Sequence, residues 1–393
     1  MARWIGVRCW GGLVLALGCA ACGGDKQGAG ADATAPVANT DSQPTGDGVV
    51  VGDPGSANAV GNAGEQAAAQ DGAQGGSSAV PLAGAPVTTA EGTGSEPVAD
   101  APLTYSACGP GERVGAFSIA LIRAMEGAPP FTQITGRVRD AGDPREVWQE
   151  VMADGDCRLI VGPSYLCDPR CATGENCVGE NECVPAPTSV DVGVVTIEGL
   201  GVEAQIKPNP GNGQYYFAPP AGMMLAYPPF EERAPLTLSA TGGEYGPFSL
   251  RGQGIPPLEI AAEQFTIAPD TALELAWTPP QMELASRIQV LVDIAHHGGI
   301  SARIECELPD NGAATISPGL INALMERGVA GFPIVALARR VVDSTEFKLG
   351  CVEFAVVSSV ERPAMIPGLN SCNVDEDCPQ GQFCAQGRMC SEG

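Results

Sequence analysis

The chain has 393 residues, a formal net charge of −25 at pH 7, fifteen cysteines and two adjacent histidines. This acidity argues against nucleic acid and against docking on an anionic membrane surface, because both are bound through clusters of Lys and Arg. In an exported chain, so many cysteines indicate disulfides, and the two histidines confine any His-based catalysis to one place.

The first 22 residues have the composition of an export signal. Arg3 and Arg8 give a basic start, residues 13–17 form an apolar run, and small residues follow with Cys19 and Cys22. This order is typical of a secretory signal peptide, and the apolar run is shorter than the ~20 residues that span a membrane. A cysteine after small residues resembles the lipobox of bacterial lipoproteins. That resemblance implies a lipidated N-terminus at the cell envelope, on the outer membrane or the cell surface.

Two cysteines compete for the lipid. Cys19 follows Ala16, Leu17 and Gly18, whereas Cys22 follows Cys19 and two alanines, so neither has the full lipobox pattern. Twelve cysteines lie beyond position 22, and processing at Cys22 leaves an even number to pair. Because an odd thiol is disfavoured in exported proteins, the sequence favours Cys22 over Cys19. An ordinary cleaved signal without lipid is the remaining alternative.

Residues 23–107 predict a disordered stalk. They consist mostly of Gly, Ala, Ser, Thr, Pro and scattered acids, with no aromatic residue before Tyr105 and with Lys26 as the only basic residue. Such a composition buries too little apolar surface to offset the entropy of ordering. At about 5–6 Å times the square root of its length, the stalk would span roughly 50 Å and hold a folded head away from the bilayer.

The folded head is predicted to be mainly β, a β-sandwich-like structure of one or two domains. A β-rich segment covers 108–164 and a β-sandwich-like region covers 190–362, and both contain short alternating runs punctuated by Gly and Pro. Such runs indicate strands of a sandwich or barrel. The predicted strands are 114–122, 131–139, 156–161, 190–198, 202–206, 235–240, 248–251, 272–277, 287–294, 302–308, 332–342 and 351–357. Residues 146–152 are ambiguous between strand and helical turn, and 310–312 predict a hairpin or turn.

One helix is predicted at 318–328. Ser317 is its N-cap, Pro318 its first residue and Gly328 its C-terminal stop. These are the residue types that begin and end helices. Leu320, Ile321, Leu324 and Met325 share one face of this helix.

Two cysteine-rich modules interrupt and end the head: module 1 at 165–185 and module 2 at 371–391. Both contain C-x-x-G-x-x-C-x5-C, preceded by a fourth cysteine at Cys167 or Cys372. Segments of this size cannot sustain an apolar core, so disulfides must hold them. Four cysteines are also a possible zinc set, but C-x-x-C is missing and export favours disulfides. Three connectivities are possible in each module and the spacing does not choose between them.

All twelve cysteines beyond the stalk are predicted to be oxidised, within the two modules and in two further bridges. Cys108 and Cys157 flank the first β segment, and Cys306 and Cys351 lie in strands of the second. With no nearer partners, these predict the pairs Cys108–Cys157 and Cys306–Cys351. The complete set is Cys108, Cys157, Cys167, Cys171, Cys177, Cys183, Cys306, Cys351, Cys372, Cys378, Cys384 and Cys390.

The segment from Cys372 to Cys390, with its C-x5-C spacing, resembles small repeats of exported myxobacterial proteins that are similar to Dickkopf N-terminal cysteine-rich domains. The order of lipobox, acidic stalk, β-rich head and cysteine repeats is similar to uncharacterised lipoproteins of those bacteria. The resemblance implies a location and a disulfide framework. It brings no catalytic residues.

The sharpest catalytic candidate is the run Asp293-Ile-Ala-His-His-Gly-Gly299. Asp293, His296 and His297 have the composition of a metal-ligand cluster, but no HExxH or similar helical pairing is present. The alternating residues before them predict a strand that ends in a glycine turn. We therefore expect no metal, cofactor or catalytic residue. The expected function is a non-catalytic surface or periplasmic component that binds an unknown protein or glycan, or has a structural role, with a membrane contact through its lipid. A metal-dependent hydrolase using these three residues is the alternative.

Overall fold

The computed structural model describes residues 102–109, 111–123, 129–163, 165, 167–219, 224–299 and 302–392. The predicted signal peptide, both candidate lipidation sites, Cys19 and Cys22, and nearly all of the predicted stalk lie outside these residues. They stay predictions.

The described part of the chain is mainly β, as predicted, with twenty strands and one α-helix. The first strands are β1 (Arg113–Ile122), β2 (Phe131–Val138), β3 (Gln149–Asp154), β4 (Cys157–Val161), β5 (Glu175–Gly179), β6 (Glu182–Pro185), β7 (Val195–Glu198), β8 (Ala204–Ile206), β9 (Tyr215–Tyr216) and β10 (Pro235–Ala240). The next are β11 (Phe248–Gln253), β12 (Phe265–Thr266), β13 (Leu273–Ala276), β14 (Arg287–Asp293), β15 (Ala302–Pro309) and β16 (Ala313–Ile316). After them come α1 (Pro318–Met325), β17 (Ile334–Phe347), β18 (Gly350–Met365), β19 (Gln382–Cys384) and β20 (Cys390–Glu392).

A ten-stranded sheet, the large sheet, forms the centre of the head. Its strand order is β3-β4-β15-β14-β17-β18-β1-β2-β9, with β12 joined to the end of β18. β1 and β12 run parallel to β18, whereas the other neighbours are antiparallel. Two strands of the segment 108–164 therefore lie on each side of a block of four strands from 190–362, and both segments build one sheet.

Two layers cover the inner face of the large sheet and make the sandwich. A four-stranded sheet, β11-β10-β7-β8, packs over β1, β2, β17 and β18 through buried aliphatic and aromatic side chains that include Leu238 and Phe354. The pair β13–β16 and helix α1 pack over β4, β14, β15 and β17, through residues such as Leu275 and Leu324. The predicted alternation is the cause: every second residue of each strand points into these cores.

The outer face of the large sheet carries charged side chains and a small apolar cluster that includes Val342 and Val357, against which the N-terminal segment 102–108 packs. Arg158 lies opposite Glu305 across the β4–β15 pair, with Nη2 and Oε2 3.3 Å apart. The Tyr105 hydroxyl crosses this face and donates to Glu307 Oε2 at 3.1 Å. Burial raises the pKa of Tyr105, while the nearby charge of Arg340 opposes that rise. The first described residues are thus part of the folded head.

Helix α1 begins as the sequence predicts and ends earlier. The Ser317 hydroxyl accepts from Leu320 N at 3.4 Å, and Pro318 is the first helical residue. The helix ends at Met325, and Gly328 has a φ of +105° that only glycine adopts readily. Among the described residues no helix combines the length and apolarity that crossing a membrane would need.

The prediction for residues 190–198 was too long. Only Val195–Glu198 forms a strand, because Gly193 has a φ of +79° and interrupts the extended chain. The ambiguous run 146–152 splits into a short 3-10 turn that ends at Glu146 and the edge strand β3.

The two predicted long-range disulfide pairs were wrong. Cys108 is bonded to Cys351 and Cys157 to Cys306. The sheet order explains both, since β1 lies beside β18, and β4 pairs with β15 so that Cys157 faces Cys306 directly. Pairing each cysteine with its nearest free neighbour in sequence assumed that the two β segments were separate, and they are not.

The two modules share one connectivity. Module 1 contains Cys167–Cys177 and Cys171–Cys183, and module 2 contains Cys372–Cys384 and Cys378–Cys390. In each, the first cysteine pairs with the third and the second with the fourth, around a short antiparallel hairpin, β5–β6 or β19–β20. The internal repeat in the sequence is therefore a repeat of structure.

Candidate functional site

The candidate cluster lies where β14 ends at the edge of the head. Asp293 is the last residue of β14, and its Oδ1 accepts from Ala295 N at 2.8 Å, which turns the chain away from the sheet. The turn brings His296 back, so that its Nδ1 lies 3.4 Å from Asp293 Oδ2. A carboxylate and an imidazole therefore meet, three residues apart, at a partly exposed position.

The two histidines lie side by side. Their ring centroids are 4.0 Å apart, and His297 has a φ of +61°, an unusual conformation for a residue with a side chain. The His296 side chain is 34% exposed and the Asp293 side chain 20% exposed. This arrangement offers one carboxylate and two imidazoles to solvent at a strand end.

Among the described residues, the groups of side chains close enough together to hold a metal ion do not include Asp293, His296 and His297. The groups of three ligand atoms that lie within 4.8 Å of one another are Cys167, Cys171 and Cys177, and Cys372, Cys378 and Cys390. All six of those sulfurs are already in disulfide bonds.

The backbone of the histidine turn has a clear structural use. His296 O accepts from Phe332 N at 2.8 Å, and Ile294 O accepts from Ala330 N at 3.1 Å, so the loop 328–333 is bound to the turn. A Cβ on Gly331 would lie 1.9 Å from His296 O. The turn and the loop approach so closely that only glycine fits there.

Module 2 is docked on that same loop. Gly331 N donates to Gly387 O at 2.6 Å, and the Arg388 guanidinium lies 5.8 Å from the centre of the Phe332 ring. The histidine turn, the loop 328–333 and module 2 are thus stacked at one end of the large sheet. Sequence reasoning found the histidines but not this docking, which depends on backbone contacts that leave no residue pattern.

A cleft of about 500 Å³ opens between module 2 and the end of β18. Its apolar lining includes Met365 and Leu369, which are 45% and 42% exposed, and its polar lining includes Asn370 and Ser371. Methionine-lined surfaces adapt to partners of varied shape. This cleft is a candidate binding position.

A second cleft, of about 480 Å³, lies near β8 and near β9, which is an edge strand of the large sheet. Phe217 and Leu225 line it beside Gln205, whose Nε2 donates to Glu203 Oε1 at 2.8 Å. Met224, 74% exposed, also lines this cleft. Apolar side chains beside amide and carboxylate groups suit contact with a protein or a glycan, because such a surface combines apolar faces with polar neighbours.

Comparison with known proteins assigns no family. No protein-family model matches the chain, and no curated protein matches it. Among solved structures, the FN1–FN3 domains of chicken CNTN1 are 7% identical, with 60% of this chain and 71% of that chain covered and a TM-score of 0.15. A likeness at that TM-score supports no inference about fold or function.

Proposed function

We propose that this protein is a lipid-anchored, exported component of a bacterial cell envelope that binds a partner or has a structural role and is not a catalyst. The observation that carries the proposal is the disulfide framework: all twelve cysteines from Cys108 to Cys390 are paired in six bridges. Structural disulfides belong to oxidising compartments outside the cytoplasm. The basic and apolar start of the chain, with Cys19 and Cys22, supplies the export signal and the lipid site.

The shape of the head supports binding better than catalysis. The Asp293 carboxylate holds a turn, and the backbone of His296 holds the loop 328–333, so both have structural uses. The cleft at the end of β18 and the cleft beside the edge strand β9 carry exposed apolar side chains, as contact surfaces do. A protein or glycan ligand fits these surfaces, and the resemblance to myxobacterial lipoproteins fits the location.

Metabolic labelling with an alkyne fatty acid tests the anchor. The wild-type protein should take up label, Cys22→Ser should remove it, and Cys19→Ser should retain it. Loss of label in Cys19→Ser alone would move the lipid to that residue. Label that persists in the double variant would contradict the lipoprotein proposal.

The alternative, a metal-dependent hydrolase, is favoured by one observation, the contact of Asp293 Oδ2 with His296 Nδ1 beside the His297 ring. Titration of the oxidised protein with Zn²⁺ in a calorimeter separates the two functions. Stoichiometric binding that disappears in both His296→Ala and His297→Ala would support the hydrolase, whereas binding unaffected by either change would exclude this cluster as its site.

A further inference from the structure

The chain is fastened to the middle of the large sheet before its first strand begins. Ser106 N donates to Val342 O at 2.9 Å, and Cys108 N donates to Glu353 Oε1 at 2.8 Å. Cys108 is also disulfide-bonded to Cys351, the second residue of β18. The N-terminal part of the chain is therefore joined covalently to one end of β18.

The other end of β18 leads directly to module 2. β18 is 16 residues long and lies between β17 and β1. At about 3.3 Å per residue it crosses roughly 50 Å of the head as an extended strand. A short linker, 366–371, then reaches Cys372, which is bonded to Cys384 near the C-terminal end.

We propose that β18 transmits mechanical force through the head: tension between the N-terminal tether and module 2 passes through the Cys108–Cys351 bridge and along β18, and bypasses residues 109–350. The bridge joins residues 243 positions apart, so almost the whole fold lies outside the path of the force. The proposal rests on the proposed function only in that a membrane tether at one end and a partner bound beside module 2 at the other supply the tension.

The mechanics follow from extension. A strand already rises about 3.3 Å per residue, which is close to the maximum rise of a fully extended chain. Tension along β18 can therefore lengthen this strand very little. The bonds of β18 to its neighbours need not break, because both ends of the load act on the same strand. The contacts of 102–107, such as that of Ser106 with Val342, would be lost before the bridge takes the force, and at the other end module 2 would separate from the loop 328–333. Neither change releases residues 109–350.

Pulling the full, oxidised chain between handles at its two ends tests this path. The wild type should show no unfolding step from the head. Cys108→Ala with Cys351→Ala should give a step of roughly 300 Å at about 3.3–3.6 Å per residue, since Cys157–Cys306 still bypasses a separation of 149 residues. Removing both the Cys108–Cys351 and the Cys157–Cys306 bridges should increase the length of the unfolding step to roughly 800 Å.

Two controls retain the Cys108–Cys351 bridge and change something else. Cys157→Ala with Cys306→Ala removes a bridge but leaves the path intact, so it should pull like the wild type. In the second control the N-terminal handle is moved to the exposed turn at Gly155, with every disulfide kept. The load then enters inside the bypassed region, and a step of roughly 150 Å should appear without any cysteine change.

A step of about 300 Å in the wild type, or no step at all with the handle at Gly155, would overturn the proposal. Neither result depends on lipidation, so a failure of the load path and a failure of the membrane anchor are distinguishable. Hydrogen exchange of the cysteine variants before pulling shows whether each is folded at the start.

Discussion

The buried ion pair between Arg339 and Asp310 is the most consequential pair of residues within the core. Arg339 is 1% exposed and its Nε lies 2.6 Å from Asp310 Oδ2, while Asp310 also accepts from Trp277 Nε1 and Ser286 Oγ. Arg339→Leu should lower the free energy of unfolding by about 3–5 kcal/mol, because it leaves a buried carboxylate without its cation. Urea unfolding measures this loss.

A matched control is the exposed pair Arg123–Glu259, whose side chains are 40% and 62% exposed. Arg123→Leu should cost less than about 1 kcal/mol, since water solvates the remaining charge. Equal losses in the two variants would mean that the Arg339 pair is not desolvated as the structure describes.

Tyr215 predicts a dependence of stability on alkaline pH. Burial raises its pKa, against the hydrogen bond from Val192 N and with the help of the Asp191 charge. Since the unfolded tyrosine ionises near pH 10 and the folded one only at higher pH, this residue makes stability fall as pH rises beyond about 10. Tyr215→Phe should flatten that fall by up to about 1.4 kcal/mol per pH unit, measured by urea unfolding from pH 9 to 11.

The neighbouring Tyr216, 59% exposed, provides the comparison. Tyr216→Phe should leave the slope of stability against pH unchanged. If both tyrosine variants altered the slope equally, burial of Tyr215 would not be its cause.

At the scale of elements, the sequence pattern predicted those strands and that helix whose formation depends on residues close together in the chain. The alternation in β14 and the Ser317, Pro318 and Gly328 signals were enough to find a strand and a helix. Strands β9 and β12 have two residues each, and they exist only because a longer strand lies beside them. The histidine residues could be named from the sequence, but the contact of His296 with Asp293 and the docking of module 2 depend on a turn whose backbone partners lie 30 or more residues away.

Module 2 should depend on its own disulfides. Cys378→Ser with Cys390→Ser should abolish hydrogen-exchange protection of 372–392 and release the loop 328–333, because a hairpin this small has almost no core to hold it. Protection of β14 and β18 should be retained. The equivalent change in module 1, Cys171→Ser with Cys183→Ser, should affect 167–185 and leave 328–333 protected.

Retained protection of module 2 without that bridge would show that docking on Gly331, not covalent cross-linking, stabilises it. Loss of protection throughout β14 and β18 would instead mean that the module supports the large sheet.

At the scale of the whole molecule, the two long-range bridges should contribute to stability according to the logarithm of the length of the loop each closes. In the chain-entropy model, closing a separation of 243 residues stabilises by about 5 kcal/mol and closing 149 by only slightly less. Cys108→Ala with Cys351→Ala should therefore lower the free energy of unfolding by several kcal/mol in urea. A loss below about 1 kcal/mol would show that the unfolded chain is already compact, so that the bridge removes little freedom from it.

The parallel pairing of β1 with β18 also sets an order of events in time. β1 is synthesised first, yet its partner follows more than two hundred residues later, and until then Phe117 lacks its neighbour Phe354. Contacts so distant in sequence make folding slow. During that interval the first hairpin, β1–β2, is incompletely covered, and the acidity of the chain opposes its association with other copies. A fragment that stops before residue 350 should accordingly be degraded rather than accumulate, however completely its earlier strands have been made.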